Sequence, residues 1–185
     1  MKITPTIVSA IVVLTAWSMR AEPRRDPLTP PEVDQLRDTA QEPEQRLKLY
    51  VKFTRARLET LDKARNDPQV TDRGQAIHDR LRDFLDLFDE LNDNVDTFAD
   101  RRADLRKALK TVIEADTEFG ARLRALKDQA GSGKETARGY DFLLTNALET
   151  LASSAQDHRK LLAEQEELAK QKKLIKPDAA QQGRR

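Results

Sequence analysis

The chain contains no cysteine, which removes disulfides, thiolate catalysis, zinc–thiolate sites and lipid attachment through an N-terminal cysteine. Histidine is scarce, with only His78 and His158. Aromatic residues make up 5% of the 185 residues, so few bulky side chains are present to fill a thick core and a narrow structure is expected. Neither sign of charge dominates: 33 Lys and Arg stand against 32 Asp and Glu, a net charge of +1. That balance supplies no overall drive toward nucleic acid or an anionic membrane. No proline occurs from Gln69 to Lys176, so no pyrrolidine ring interrupts a helix over that span.

The one long apolar run lies at the N-terminus. Basic Lys2 precedes an apolar stretch from Ile7 to Trp17, and Ala16-Trp17-Ser18 places small residues at the positions a signal peptidase reads. The stretch is shorter than the roughly 20 apolar residues that span a membrane. A cleaved secretory signal over residues 1–18 is expected, with cleavage after Ser18 or, as second choice, after Ala21. An uncleaved anchor is the alternative. The mature protein is then expected to be secreted or periplasmic. Residues 19–31 are Pro-rich and charged and read as an extended linker.

A helical bundle domain is expected over residues 32–176, with helices near 30–40, 44–65, 72–130 and 136–175 and a disordered polar tail over 177–185. Thr29 is a candidate cap, Pro30 suits a first turn, and Glu32 stands three residues after Thr29 as in a capping box. Pro43 is read as ending or kinking that first helix. The second helix shows an apolar seam of Leu47, Val51, Thr54, Leu58 and Leu61, with Tyr50 beside it. Thr71 or Asp72 is a candidate cap for the next.

From Ile77, steps of four and three residues land on apolar side chains down to Ala130, broken only by Arg102 and Asp116. The register does not slip across Phe84–Leu105, so one continuous helix over 72–130, about 90 Å long, is expected. The alternative is a break near Asn92–Asp96. Leu85, Leu87, Ala99, Ala108, Ile113 and Ala115 widen the stripe beyond a two-stranded seam. That width suggests packing against more than one helix, or a second copy of the chain. The Gly-containing stretch Gly131–Gly139 reads as a turn. The last helix carries Tyr140, Leu144, Ala147, Leu148, Leu151, Ala155, His158, Leu162, Leu168 and Ala169 on its seam.

The second helix is expected to fold back on the first half of the long one, and the last helix on its second half. Charge agrees: Glu44–Arg65 holds seven basic and three acidic residues, whereas Asp72–Asp100 holds nine acidic and three basic. The fold class predicted is all-α, an elongated antiparallel helical bundle or coiled coil built on one long central helix, with a compact four-helix bundle as the alternative.

The chemistry-bearing patterns are few. An EF-hand loop started at Asn92 would use Asn92, Asn94 and Asp96, but it has Thr97 where Gly is needed and Ala103 where Glu is needed. Neither histidine follows a Glu by three residues, as carboxylate-bridged metal sites in bundles require. No metal or other cofactor is therefore expected. Arg101, Arg102, Arg106, Lys107 and Lys110 form a local basic cluster without interleaved aromatic platforms, so no nucleic acid is expected. Gly-Ser-Gly-Lys-Glu-Thr has Glu135 where a phosphate-binding loop needs Ser or Thr. No nucleophile with a base on a strained turn is present, and an enzyme is not expected. Membrane contact is expected only transiently, through the lysines near the C-terminus, or through an uncleaved N-terminus. The remaining candidate is a seam pair: folding about Gly131–Gly139 brings His158 near Asp116, and a buried His–Asp pair would be pH-sensitive.

Leu28-Thr29-Pro30-Pro31 resembles the Leu-Thr-x-x-Gln helix starts of the secreted LTxxQ-type periplasmic chaperones, which are small, Cys-free, all-helical and highly charged. The fifth residue here is Glu32 where that pattern has Gln, and Val70-Thr71 with Gln75 matches less well. The resemblance spans a few residues, and a capping box accounts for it equally. The function expected is a non-catalytic helical interaction or structural protein of the cell envelope, binding a protein partner or a second copy of itself. The alternative is a chaperone-like bundle or one that binds lipid or another apolar ligand.

Overall fold

A computed structural model describes residues 26–130 and 139–175, which form five α-helices and no strand. These are α1 (Pro30–Asp38), α2 (Pro43–Asn66), α3 (Arg73–Asp100), α4 (Arg106–Ala130) and α5 (Asp141–Ile175). The expected signal segment 1–18, most of the linker, turn residues 131–138 and the tail 177–185 lie outside the described residues. The chain is an all-α helical bundle.

Local chemistry explains most helix ends. The Glu32 carboxylate reaches back to the start of α1, accepting the Thr29 N–H at 2.8 Å and the Thr29 hydroxyl at 2.9 Å. Pro43 does not merely end α1; it opens α2 as its first residue, where no intrahelical N–H bond is lost. Asp72 caps α3 by accepting the Gln75 N–H at 2.9 Å.

The continuous helix expected over 72–130 is two helices. The break also misses the alternative position: α3 runs straight through Asn92–Asp96 and ends at Asp100. Arg102 then turns left-handed, with φ 58°. The Ala103 N–H bonds the Phe98 carbonyl at 3.0 Å and the Arg102 N–H bonds the Ala99 carbonyl at 2.8 Å. This is the Schellman ending of a helix, in which glycine usually holds the left-handed position. Beyond it, Asp104 Oδ1 accepts the Arg106 N–H at 3.2 Å and so serves a free donor of the first turn of α4. The periodicity concealed this turn for a geometric reason. Phe98 is the last core residue of α3 and Leu105 the first core residue before α4, and they stand seven residues apart. Seven residues return a side chain to the same face of a helix; here a hairpin returns both to the same core.

Each long helix packs against two other long helices. α2 packs against α3 and α4, and α5 packs against α4 and α3. The α2–α3 and α4–α5 pairings are those expected from helix length and charge. Ion pairs also tie α2 to α4 and α1. Arg55 binds Glu118 on α4 at 2.8 Å, Asp62 binds Arg122 on α4 at 2.6 Å, and Arg57 binds Glu32 on α1 at 2.6 Å. The core is centred on Phe84, which stacks on Phe88 at 5.8 Å and meets Phe119 edge-on at 5.7 Å. Such aromatic pairs add roughly 0.5–1.5 kcal/mol beyond their area burial. Gly120 lets α5 come close: a Cβ there would stand 3.3 Å from Leu151 Cδ2.

The wide stripe that suggested a second copy is largely covered within one chain. Leu85, Leu87, Ala108 and Ala115 are all buried. The seam of α2 is buried throughout, including Thr54. Leu168, placed on the last seam by its spacing, is 54% exposed instead.

Candidate functional site: a buried histidine–aspartate pair

The inner side of α5 carries polar residues that each fasten it to a different part of the bundle. Ser154 accepts a hydrogen bond from Asn92 of α3 at 3.0 Å. One turn on, His158 Nδ1 lies 2.9 Å from Asp116 Oδ2 of α4. Further along, Gln165 accepts the Leu105 N–H at 2.8 Å and donates to the Ala103 carbonyl at 3.0 Å. Gln165 thus caps the α3–α4 link from a distant helix. It satisfies a backbone donor and a backbone acceptor that a turn leaves open.

The sequence placed His158 opposite Asp116, and the structure brings the two together. His158 is 4% exposed and Asp116 3%. An ionised carboxylate can only accept, so the proton of this bond belongs to Nδ1 and the other ring nitrogen is left over. Asp116 Oδ1 is buried and has no hydrogen-bond partner among the described residues. The carboxyl therefore depends on one imidazole for its hydrogen bond, and a buried polar group without such a bond is expensive. His158 also lines a cleft of about 220 Å³ between α3 and α5.

The other candidates have structural partners. Asn94 donates to the Glu90 carbonyl at 2.8 Å and accepts from Arg46 Nε at 2.8 Å, while Asn92 is held by Ser154. Among the described residues no group of three or more His, Asp and Glu side chains could hold a metal ion. No described helix is long and apolar enough to cross a membrane. In the basic cluster, Arg106 grips Asp104 at 2.5 Å and Lys110 pairs with Glu166 of α5 at 3.3 Å. Arg101 and Arg102 are exposed at the break.

Charge pairing perturbs several carboxyls. The Arg106 guanidinium pulls the Asp104 carboxyl from 3.8 down to about 2. Hydrogen bonds from Arg55 hold Glu118 below the ordinary carboxylate range, against an opposing effect of burial. At Glu32, burial works upward, but bonds from Arg57 and Thr29 together outweigh it and leave the carboxyl lowered. Arg57 also donates to the Pro27 carbonyl at 2.8 Å, and Arg46 to the Leu36 carbonyl at 2.6 Å. Two arginines of α2 thus clasp α1 at both ends.

Sequence reasoning did not foresee Gln165 or Arg57. Both act across more than twenty residues of sequence, on backbone or a cap that only the folded chain brings near. Arg102 was visible as a polar break in the seam and was read as a helix-interior residue.

The fold defines a helical bundle, and the site adds a buried acid–imidazole contact to it. Comparison of the chain with protein-family models, with curated proteins and with solved structures finds no match.

Proposed function

We propose that the protein is a non-catalytic helical interaction or structural module of the cell envelope, secreted or periplasmic, that works through the outer faces of its long helices. The observation that carries this reading is where the polar fastenings fall. Asn92, Asp116, Ser154, His158 and Gln165 are all spent in joining helices to one another. The interior chemistry serves the shape of the bundle, and the helix faces remain for recognition. The N-terminal apolar run with its small residues at Ala16 and Ser18 supports the location.

A photo-crosslinking amino acid placed at exposed positions along α3 and α5, in cells of the source organism, tests it. A discrete crosslinked species in the envelope fraction is expected. Retention in the cytosol with the N-terminal segment uncleaved, or no discrete species from any position, would count against it.

A second reading, a chaperone-like bundle or one binding an apolar ligand, draws on two exposed apolar side chains, Phe142 at 87% and Leu168 at 54%. Strong fluorescence enhancement of the dye ANS by a stable monomer would favour it over the first.

A further inference from the structure

We propose that the protein pairs with a second copy of itself through α5, antiparallel and two-fold symmetric. This rests on the interaction-module reading and names its partner. α5 is 35 residues long and outlasts its neighbours. Its last described hydrogen bond and ion pair to another part of the bundle are made by Gln165 and Glu166. Residues 167–175 continue past that point for about 13 Å. On this projection Leu168 is 54% exposed, and Lys170, Lys172 and Lys173 are exposed.

One turn back toward the bundle, the same helix face borders the cleft of about 220 Å³ shared with α3. Apolar Val95, Ala99 and Leu161 line it, and Asp96, Asp157 and Glu164 supply negative charge against the single cation Lys160. Asp157, Leu161, Glu164, Leu168 and Lys172 follow spacings of four, three, four and four, so they share one face of α5. Apart from Glu164, which meets its own copy near the axis, that face is complementary to itself. Its first half is apolar and acidic; its second half is apolar and basic.

A two-fold axis between Glu164 and Gln165 sets Leu168 of one copy against Leu161 of the other, at the cleft. It sets Lys172 against Asp157. Both contacts occur twice, as an isologous interface requires. The projecting turn of each copy lies along the bundle end of the other, at the cleft, and the two bundles extend away from the axis in opposite directions. A contact of this length falls at the low end of specific interfaces, which fits a weak, concentration-dependent dimer.

Sedimentation velocity from micromolar to near-millimolar protein tests the pairing. Wild type is expected to move from monomer to dimer over that range. Leu168→Lys is expected to weaken the dimer at least about tenfold. Asp157→Lys alone is expected to weaken it, and Asp157→Lys with Lys172→Asp to restore it. All three positions are exposed, so the variants should keep the wild-type far-ultraviolet circular dichroism. A wild type monomeric throughout, a dimer indifferent to Leu168→Lys, or a charge swap that fails to restore pairing would overturn the proposal. In any of those cases, crosslinks from α5 to a different envelope protein would leave the interaction-module reading standing. Strong ANS binding without crosslinks would end that reading as well.

Discussion

Replacing His158 by leucine removes the one hydrogen bond that the described residues give the buried Asp116 carboxylate, whose second oxygen has no partner among them. The site is too deep for water to take over readily, since Asp116 is 3% exposed. Removing one member of a buried pair costs about 3–5 kcal/mol, because the remaining charge is stranded. Total stability of a domain is about 5–15 kcal/mol, so His158→Leu is expected to lower the melting temperature by roughly 10 °C. Replacing both members should behave differently. Asp116→Val with His158→Leu puts apolar groups on both sides and is expected to lie within about 1–2 kcal/mol of wild type. Urea denaturation followed by circular dichroism measures wild type, His158→Leu, Asp116→Val and the double variant, and the double-mutant cycle isolates the coupling. A cost for His158→Leu below about 1 kcal/mol, or a double variant as unstable as the two single losses added, would refute the reasoning.

Three further outcomes follow from the turn and its neighbours. Arg102→Gly should stabilise the protein by about 1 kcal/mol in thermal melts, because Arg102 is exposed and holds a left-handed φ of 58° that costs a side chain roughly 1–2 kcal/mol. Gln165→Ala should cost about 1–2 kcal/mol and speed amide exchange at Leu105, whose N–H it would leave unbonded. Asp104, with its carboxyl lowered to about 2, makes a contribution that is complete above its ordinary value of 3.8 and is lost as pH falls toward about 2. An NMR titration should place its midpoint near the lower value, and Arg106→Ala should return it to the ordinary range.

The seam residues were legible because burial follows the helical period. Ile77, Leu81, Phe84, Phe88, Leu91 and Val95 were picked by spacing and all are buried. The same reasoning found the neighbours of each helix and placed His158 beside Asp116. Its failure at Arg102 has a physical cause. Hydrophobic period reports which residues enter a core, not whether the backbone between two of them is straight. Phe98 and Leu105 satisfy that period across a reversal of the chain. Leu168 fails in the opposite way: the period continues past the end of the bundle, where no helix among the described residues covers it. The ion pairs were missed because net charge per helix says nothing of which face carries the charge. Arg55 and Asp62 turn toward α4, not α3.

The reversal at Arg101–Leu105 is the claim on which the Asn92–Ser154 bond and the cleft between α3 and α5 both depend. The chain has no cysteine, so spin labels can be placed at Arg82→Cys and Thr117→Cys, both exposed, without other substitutions. Pulsed electron–electron resonance then measures the distance between them. Antiparallel helices in one bundle, each with an axis roughly 8–10 Å from its neighbour, predict a distance below about 35 Å including the label arms. A continuous helix would put the two sites about 52 Å apart, and a distribution centred there would contradict the account.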